Sequence, residues 1–338
     1  MTEQSPRSRG FSIWPFILIG IGVVWLMAEA GIITGANLSV LARLWPVILI
    51  AIGIELLVGR SSQFLSSLIG IVTVVLLIGL MLVGPSLGLA TSAETKQDSF
   101  SAPLDGATTA HVQVEASVGV VNVAPLMDSA DLFQADISYL GDVNFNTSDS
   151  DGQRVIELTN TYDGGMQWFS FLSFIGQDDL EWNIGLNSET PLDLTVNTGT
   201  GAANLDLTPL QLTALNVNTG TGSVNLSLPA LEASFNAIVN TGTGAVEIDI
   251  PDEAAVNLRI NSGTGSVEID VPDDAAVRLV GSVGTGGIDV PSSMPRIGGD
   301  DDGNIIGAEG VWETEGFNTA ERQIVIDFSG GTGGLDIR

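Results

Sequence analysis

The chain has 338 residues, with 40 Asp plus Glu against 11 Lys plus Arg, and a formal net charge of −29 at pH 7. Residues 1–93 carry three acids and four bases (+1), whereas residues 94–338 carry 37 acids and seven bases (−30). Because so acidic a second part would repel phosphate, a nucleic-acid partner is excluded. The chain has no cysteine, and its only histidine and lysine are His111 and Lys96, which favours a non-enzymatic protein.

Three apolar stretches occupy the first 90 residues, at about 11–33, 41–58 and 64–87. Each approaches the roughly 20 residues that a helix needs to cross the hydrocarbon core of a bilayer. The first stretch is too long for a cleavable signal peptide, and another apolar stretch follows it. The sequence therefore predicts a transmembrane region of three helical spans over residues 1–92.

The first two predicted spans are copies of one motif. The segment Trp14–Gly22 reads Trp-Pro-Phe-Ile-Leu-Ile-Gly-Ile-Gly, and Trp45–Gly53 repeats it with two substitutions. Proline is favoured in the first helical turn because its missing N–H would have no partner there. Tryptophan suits the membrane interface. We expect a helix to begin at each Trp-Pro pair.

The arginines of this region predict its orientation. Arg7, Arg9 and Arg60 should be cytoplasmic according to the positive-inside bias, whereas Arg43 would lie on the opposite side. The N-terminus is then cytoplasmic, and residues 93–338 are extracytoplasmic. The acidic character of residues 93–338 agrees with this placement.

Residues 93–338 contain an internal repeat, which is regular over about 192–291. Asn-Thr-Gly-Thr-Gly begins at three positions and returns as Asn-Ser-Gly-Thr-Gly and as Val-Gly-Thr-Gly, in steps of 21 or 22 residues. Apolar and polar residues alternate between the glycine-rich motifs, and prolines follow, as expected for strands joined by tight turns. We predict an all-β domain, a β-solenoid-like stack with coils of about 21 residues. The segment Val114–Val123 resembles a diverged first coil, and Gly331–Gly333 a last one.

Stacking at about 4.8 Å would place equivalent residues in columns. Asn197, Asn218, Asn240 and Asn261 would then form a hydrogen-bonded ladder, and the threonines at 200, 221, 243, 264 and 285 a second column.

The same stacking would place like charges together. Glu247 would lie over Glu268 and Asp249 over Asp270, with a repulsion of roughly 1–3 kcal/mol for each pair. Cations or neighbouring bases must relieve this repulsion. One interpretation is a divalent-cation stripe, with Ca²⁺ as the only candidate cofactor. The alternative, which we favour, is a solvated acidic face.

An aromatic cluster, Trp168, Phe169, Phe171 and Phe174, lies between the diverged first coil and the regular repeats. One interpretation is an exposed patch that docks on the membrane or a partner. The other is a plug over the end strand of the solenoid, which would otherwise invite edge pairing.

The duplicated Trp-Pro motif resembles the LiaI–LiaF-like transmembrane region of bacterial envelope proteins. The chain from about His111 through the Asn-Thr-Gly-Thr-Gly repeats resembles the toast-rack β-repeat domain, which is related to the C-terminal domain of LiaF-type proteins and to adhesin-like repeats. This resemblance implies no catalytic residues. It implies a link to envelope stress, because LiaF-type proteins restrain a sensor kinase. The chain departs from that pattern in its third span and its acidic repeats.

We therefore expect a non-enzymatic protein of the bacterial cytoplasmic membrane. Its expected role is that of an envelope scaffold or stress-response component, which contacts a membrane protein or another copy of itself. The first alternative is an adhesin-like surface-binding solenoid, with or without calcium. The second alternative is a hydrolase that uses paired carboxylates.

Overall fold

The computed structural model describes residues 14–33, 37, 40, 44–58, 63–87, 95–127, 129–150, 152–161, 180–299 and 307–338. These residues fall into two compact units, a helical unit that precedes residue 95 and a β unit that follows it.

Among its described residues, the helical unit has the helices α1 (Trp14–Glu29), α2 (Trp45–Val58) and α3 (Gln63–Val83). The first two begin at their Trp-Pro pairs, as the duplicated motif predicted. Helix α3 packs against both α1 and α2. Beyond α1, the amide of Asn37 donates a hydrogen bond to the carbonyl oxygen of Met81 at 2.9 Å.

Within the described part of the chain, no helix is both long enough and apolar enough to cross a membrane. The three spans at 11–33, 41–58 and 64–87 remain a prediction.

The β unit consists of nineteen strands in the described residues, which together form one continuous sheet. The strands are β1 (Lys96–Pro103), β2 (Thr109–Val118), β3 (Val120–Leu126), β4 (Asp131–Tyr139), β5 (Asp142–Ser150), β6 (Gln153–Thr161), β7 (Glu181–Asn187), β8 (Leu192–Thr200), β9 (Ala203–Asp206), β10 (Leu212–Thr221), β11 (Val224–Ser227), β12 (Phe235–Thr243), β13 (Val246–Asp249), β14 (Val256–Asp270), β15 (Val277–Thr285), β16 (Ile288–Asp289), β17 (Arg296–Gly298), β18 (Ala308–Glu313) and β19 (Ile324–Ile337).

Each coil of the stack consists of a long strand, a glycine turn and a short strand. The pairs β8/β9, β10/β11 and β12/β13 stack in parallel and in register, apart from one irregularity between Leu212 and Ala214, and β14 runs through both strands of the next coil. The pair β2/β3 stacks on β8/β9, which confirms that Val114–Val123 belongs to a diverged first coil. The predicted solenoid-like stack of 21-residue coils is therefore confirmed in the described residues.

The interior of the stack is apolar because alternate residues of every strand point inward. Val196, Val217, Val239 and Ile260 stack on one another and are fully buried. Parallel columns on both sides bury the other inward residues. No single coil could bury this surface, so the coils depend on one another for stability.

The last strand occupies an unexpected place. We predicted that successive repeats stack in chain order, which would put Thr285 next to Thr264. Instead β19 lies between β14 and β15/β16 and pairs in parallel with both, so that Thr332 separates the two threonines. The prediction of a simple chain-order stack was wrong at this point. β19 can lie between β14 and β15 because it has the same register and the same alternation of buried and exposed residues as these strands.

Antiparallel strands cover the ends of the stack. At the N-terminal end, β6 pairs in parallel with β2 and β7 with β3, which extends the two sides of the first coil. β5 then pairs antiparallel with β6, β4 with β7, and β1 with β4. At the other end, β18 pairs with β15, and β17 with β18. Such additions protect the outermost parallel strands from pairing with another chain.

Candidate functional site

Each residue of the Asn-Thr-Gly-Thr-Gly motif has its own place in the coil. In the first repeat Thr198 is buried, whereas Thr200 is exposed after the chain begins to turn. A Cβ on Gly199 would lie 2.4 Å from the carbonyl oxygen of Ser117, and one on Gly201 only 1.8 Å from that of Gly119. Gly201 also has a φ of +143°, which side-chain-bearing residues rarely adopt. The glycines therefore allow neighbouring turns to approach closely.

The predicted asparagine ladder is present. The Nδ2 of Asn218 donates to Oδ1 of Asn197, Asn240 to Asn218, and Asn261 to Asn240, each over 2.7 Å. The ladder ends on a carboxylate, because Asn197 donates to Oε1 of Glu115 at 3.2 Å. These bonds fix the register of the long strands.

A second ladder, on the short strands, was not predicted. Asn225 donates to Asn204 at 2.8 Å and Asn204 to Asn122 at 2.9 Å. Asn122 in turn donates to Oδ1 of Asn183 at 3.0 Å and to Oε1 of Glu181 at 2.7 Å. The recurrence of Asn at the third residue after the turn glycine was the sequence signal that could have revealed this ladder.

The predicted acidic columns are in register and lie further along the stack, where Glu247 occupies the strand position that Asn225 has in the preceding coil. Glu247 pairs with Glu268 and Asp249 with Asp270. The inserted β19 continues the first column, since Asp336 is the partner of both Glu268 and Asp289.

A base lies on this acidic column. The guanidinium of Arg338 contacts the carboxylate of Glu268, and its Nε lies 2.9 Å from Oδ2 of Asp336. The hydrogen bond to Asp336 and the charge of Glu268 raise the pKa of Arg338 above its ordinary value. Arg338 thus reduces the repulsion between the stacked carboxylates at Glu268, for which a cation or a neighbouring base was expected from the sequence.

The four acids predicted to hold calcium, Glu247, Asp249, Glu268 and Asp270, lie on one open face. In the described residues, no group of three or more His, Cys, Asp or Glu side chains converges as a metal site would require. Calcium binding at these positions stays a prediction.

Other arginines also connect neighbouring strands. Arg259 of β14 lies 3.1 Å from Asp327 of β19, and Arg278 of β15 lies 2.5 Å from Glu313 of β18. Arg278 also lies over the ring of Phe317, 4.2 Å from its centroid. These ion pairs join β19 and β18 to the strands beside them.

The aromatic residues proposed for docking, Trp168, Phe169, Phe171 and Phe174, lie outside the described residues. The strands on either side are described, and β6 and β7 pair with β2 and β3 of one coil.

Two shallow grooves follow the ladders. A groove of about 520 Å³ beside the first ladder is lined by Glu115, Ser117, Asn160, Asn197 and Asn218, with Gly199 and Gly220. A second, of about 370 Å³, follows the short strands and includes Asn204, Asn225, Glu247 and Asp249. The structure thus offers an amide-lined groove and a groove that ends on acids.

Comparison with solved structures finds the β unit among candidate adhesins. A candidate cell adhesion protein from Clostridium sporogenes is 18% identical with a TM-score of 0.50, over 72% of this chain and 99% of that one. A candidate adhesin from Bacteroides fragilis is 11% identical over 74% and 100% of the two chains, with a TM-score of 0.25. One from Parabacteroides merdae is 10% identical over 72% and 96%, with a TM-score of 0.20. At 18% identity, the likeness to the Clostridium sporogenes protein shows the fold alone.

No curated protein matches the chain. Two protein families match it, and neither is a family of enzymes. The LiaI-LiaF-like transmembrane region matches residues 12–57, and the N-terminal domain of toast_rack (DUF2154) matches residues 91–249. The chain thus contains a segment similar to the LiaI-LiaF-like transmembrane region, followed by a segment similar to the N-terminal domain of toast_rack, and these two matches support a membrane-associated envelope protein.

Proposed function

We propose that the protein is a non-enzymatic scaffold of the bacterial cell envelope. In this proposal the helical unit anchors the chain in the cytoplasmic membrane with three spans, and the β unit binds other envelope components outside it. The observation that carries the proposal is the succession of a LiaI-LiaF-like transmembrane region and a rigid stack of coils in one chain. A stack whose interior is filled by side chains presents long flat faces, which suit contact with large partners.

The apolar surface of the third helix supports the membrane part of the proposal. Leu68, Ile71, Val72 and Val75 of α3 are exposed within the helical unit. Lipid or the helix of a partner would cover such residues in a membrane. The proposed partner is a membrane protein, such as a sensor kinase, or another copy of this chain.

The proposed orientation places Arg7, Arg9 and Arg60 in the cytoplasm. A reporter enzyme that is active only outside the cytoplasm, fused after Arg338, should be active in this case. The same reporter fused before Arg7 should be inactive. Activity of the Arg338 fusion only with a cytoplasmic reporter would contradict the orientation.

Crosslinking in living cells tests the scaffold role. Photoreactive residues placed at Leu68 and Ile71 should capture a membrane protein, and the same residue at Leu77, which is buried, serves as the matched control. Recovery of a kinase would support a regulatory scaffold. Recovery of self-contacts alone would argue against regulation of a kinase and favour a homo-oligomeric scaffold.

We extend the proposal to the aromatic segment, for which we infer docking on the membrane or a partner. Described antiparallel strands already cover both ends of the stack, so a separate plug is not required. The double substitution Trp168→Ala, Phe171→Ala should reduce the crosslinking of partners from Leu68 and Ile71, and it should leave the melting temperature of the chain unchanged. Ile297→Ala, at an apolar side chain that is exposed in the β unit, should change neither. A large fall in melting temperature of the double variant would instead identify the segment as a plug.

A hydrolase is less well supported. Glycoside hydrolysis by paired carboxylates needs two acids on opposite sides of the bond that is cleaved. Glu247, Asp249, Glu268 and Asp270 instead line one open face. An adhesin-like surface is the second candidate, and the many asparagines on the outer side of β8, β10, β12 and β14 favour it.

A further inference from the structure

Two faces of the solenoid differ sharply in composition. The outward residues of β8, β10, β12 and the first half of β14 are Asp193, Thr195, Asn197, Thr213, Ala214, Asn216, Asn218, Asn236, Ile238, Asn240, Asn257, Arg259 and Asn261. Those of β9, β11, β13 and the second half of β14 are Asn204, Asp206, Asn225, Ser227, Glu247, Asp249, Glu268 and Asp270. The first set, which we name the asparagine face, has seven asparagines among thirteen residues. The second has five acids among eight.

The asparagine face carries no net charge, although residues 94–338 carry −30. Its only two charged residues both have partners. Asp193 lies 3.2 Å from Nδ1 of His111, and Arg259 lies 3.1 Å from Asp327. A neutral surface of this size in so acidic a unit limits its ligands to those that need hydrogen bonds rather than charge.

The ladder leaves a regular set of hydrogen-bonding groups free on this face. A side-chain amide has two N–H donors and an oxygen with two lone pairs. Asn218 and Asn240 each donate one hydrogen bond and accept one along the ladder. Each amide therefore keeps one donor and one acceptor, repeated at the strand spacing of about 4.8 Å. Because the ladder already fixes these side chains, a ligand would lose little binding free energy in ordering them.

The groove beside the ladder gives a ligand access to these groups. Gly199 and Gly220 form part of its wall, and a Cβ at either would lie 2.4 Å or 2.5 Å from a backbone oxygen of the preceding coil. The hydroxyl of Ser117 and the amides of Asn160, Asn197 and Asn218 line the same groove, and the carboxylate of Glu115, which accepts from Asn197, lies at its end. Its volume of about 520 Å³ is open along the stack, which suits a chain-like ligand rather than a small molecule.

We propose that the asparagine face binds a neutral polysaccharide. A sugar hydroxyl both donates and accepts a hydrogen bond, and successive hydroxyls of a glycan chain match an array that offers one donor and one acceptor at each coil. An anionic polysaccharide would meet the repulsion of the acidic unit. This proposal does not rest on the scaffold role, because the binding is a property of the β unit that can be measured without any other protein.

Calorimetric titration of the full chain tests the proposal directly. The chain should be held in phosphatidylcholine nanodiscs, because detergents with sugar headgroups would compete. The probes are cellohexaose and chitohexaose, which are neutral, and a hyaluronan hexasaccharide, which is anionic. Saturable binding of at least one neutral probe and none of hyaluronan is expected. Absence of binding by both neutral probes, or equal binding of hyaluronan, would overturn the proposal.

Matched variants locate the site. Asn218→Ala removes one free donor and one free acceptor from the asparagine face, and should weaken binding about tenfold. Asn225→Ala breaks the equivalent bond in the short-strand ladder and should change affinity less than twofold. If Asn218→Ala lowers the melting temperature, Asn218→Thr, which retains strand propensity, replaces it. Equal losses in the variants of the two ladders would show that the site is not the asparagine face.

Discussion

The amide of Asn197 donates a hydrogen bond to the carboxylate of Glu115 across 3.2 Å and 82 residues of chain. This bond joins the diverged first coil to the regular coils and is the point at which the first asparagine ladder ends. The ladder on the short strands also ends on a carboxylate, that of Glu181. In both cases the amide N–H groups point toward the negative charge, so that the amide dipoles of successive coils add up.

The end of the ladder should be a measurable source of stability. Glu115→Ala removes the acceptor of Asn197 and of Gln113, whose amide lies 2.8 Å from the same carboxylate. We expect a loss of about 1–2 kcal/mol in the free energy of unfolding, measured by chemical denaturation of the full chain. Glu115→Gln retains an acceptor oxygen and should cost less than half as much. Equal losses for the two variants would show that the ladder bond does not matter.

The period of 21 or 22 residues was sufficient to predict the Asn197 ladder and the Glu247–Glu268 register. It could not predict the place of β19, because every coil has the same register and any two can stack. The difference lies in side chains outside the repeat motif. Phe328 pairs with Gly281, and a Cβ on Gly330 would lie 2.8 Å from its ring. Such fitted pairs and the Arg259–Asp327 ion pair are visible only once the coils are stacked.

The period of the repeat also predicted the acidic candidate site. It was sufficient to place Glu247, Asp249, Glu268 and Asp270 in columns. The base beside Glu268, Arg338, could not be placed, because it directly follows a strand that is inserted out of chain order.

The turn glycines should tolerate no side chain. Gly222 has a φ of +148°, and a Cβ on it would lie 1.6 Å from the carbonyl oxygen of Gly201. Gly222→Ala should therefore cost about 3 kcal/mol or more in the free energy of unfolding, or prevent folding. Gly287 is the matched control, because a Cβ on it would meet no heavy atom within 4 Å and its φ is not left-handed. Gly287→Ala should change stability by less than about 0.5 kcal/mol, and comparable losses at both positions would contradict the stacking of the turns.

A buried tyrosine predicts how stability falls at high pH. The hydroxyl of Tyr139 donates to Oδ2 of Asp98 at 2.6 Å, and this bond, with burial, raises the pKa of Tyr139 to about 12. The unfolded chain should ionise near the ordinary value of about 10. The stabilisation is therefore complete below pH 10 and is lost as the pH rises toward 12. Tyr139→Phe should lack this part of the decline in melting temperature between pH 10 and 12. Parallel declines of the two proteins would contradict the role of the Tyr139–Asp98 bond.

Arg338 should determine whether calcium affects the acidic column. Its guanidinium already contacts Glu268 and Asp336, so it neutralises part of the charge that a divalent cation would. Millimolar calcium should leave the melting temperature of the unmodified chain unchanged. Arg338→Ala should lower that temperature at low salt, because the carboxylates then repel one another without relief. Calcium should restore it in this variant, with a shift that grows with the logarithm of the calcium concentration.

Arg259→Ala, which breaks an ion pair on the other face, should not gain this response to calcium. A calcium-dependent rise in the unmodified chain would instead support the divalent-cation stripe at Glu247, Asp249, Glu268 and Asp270.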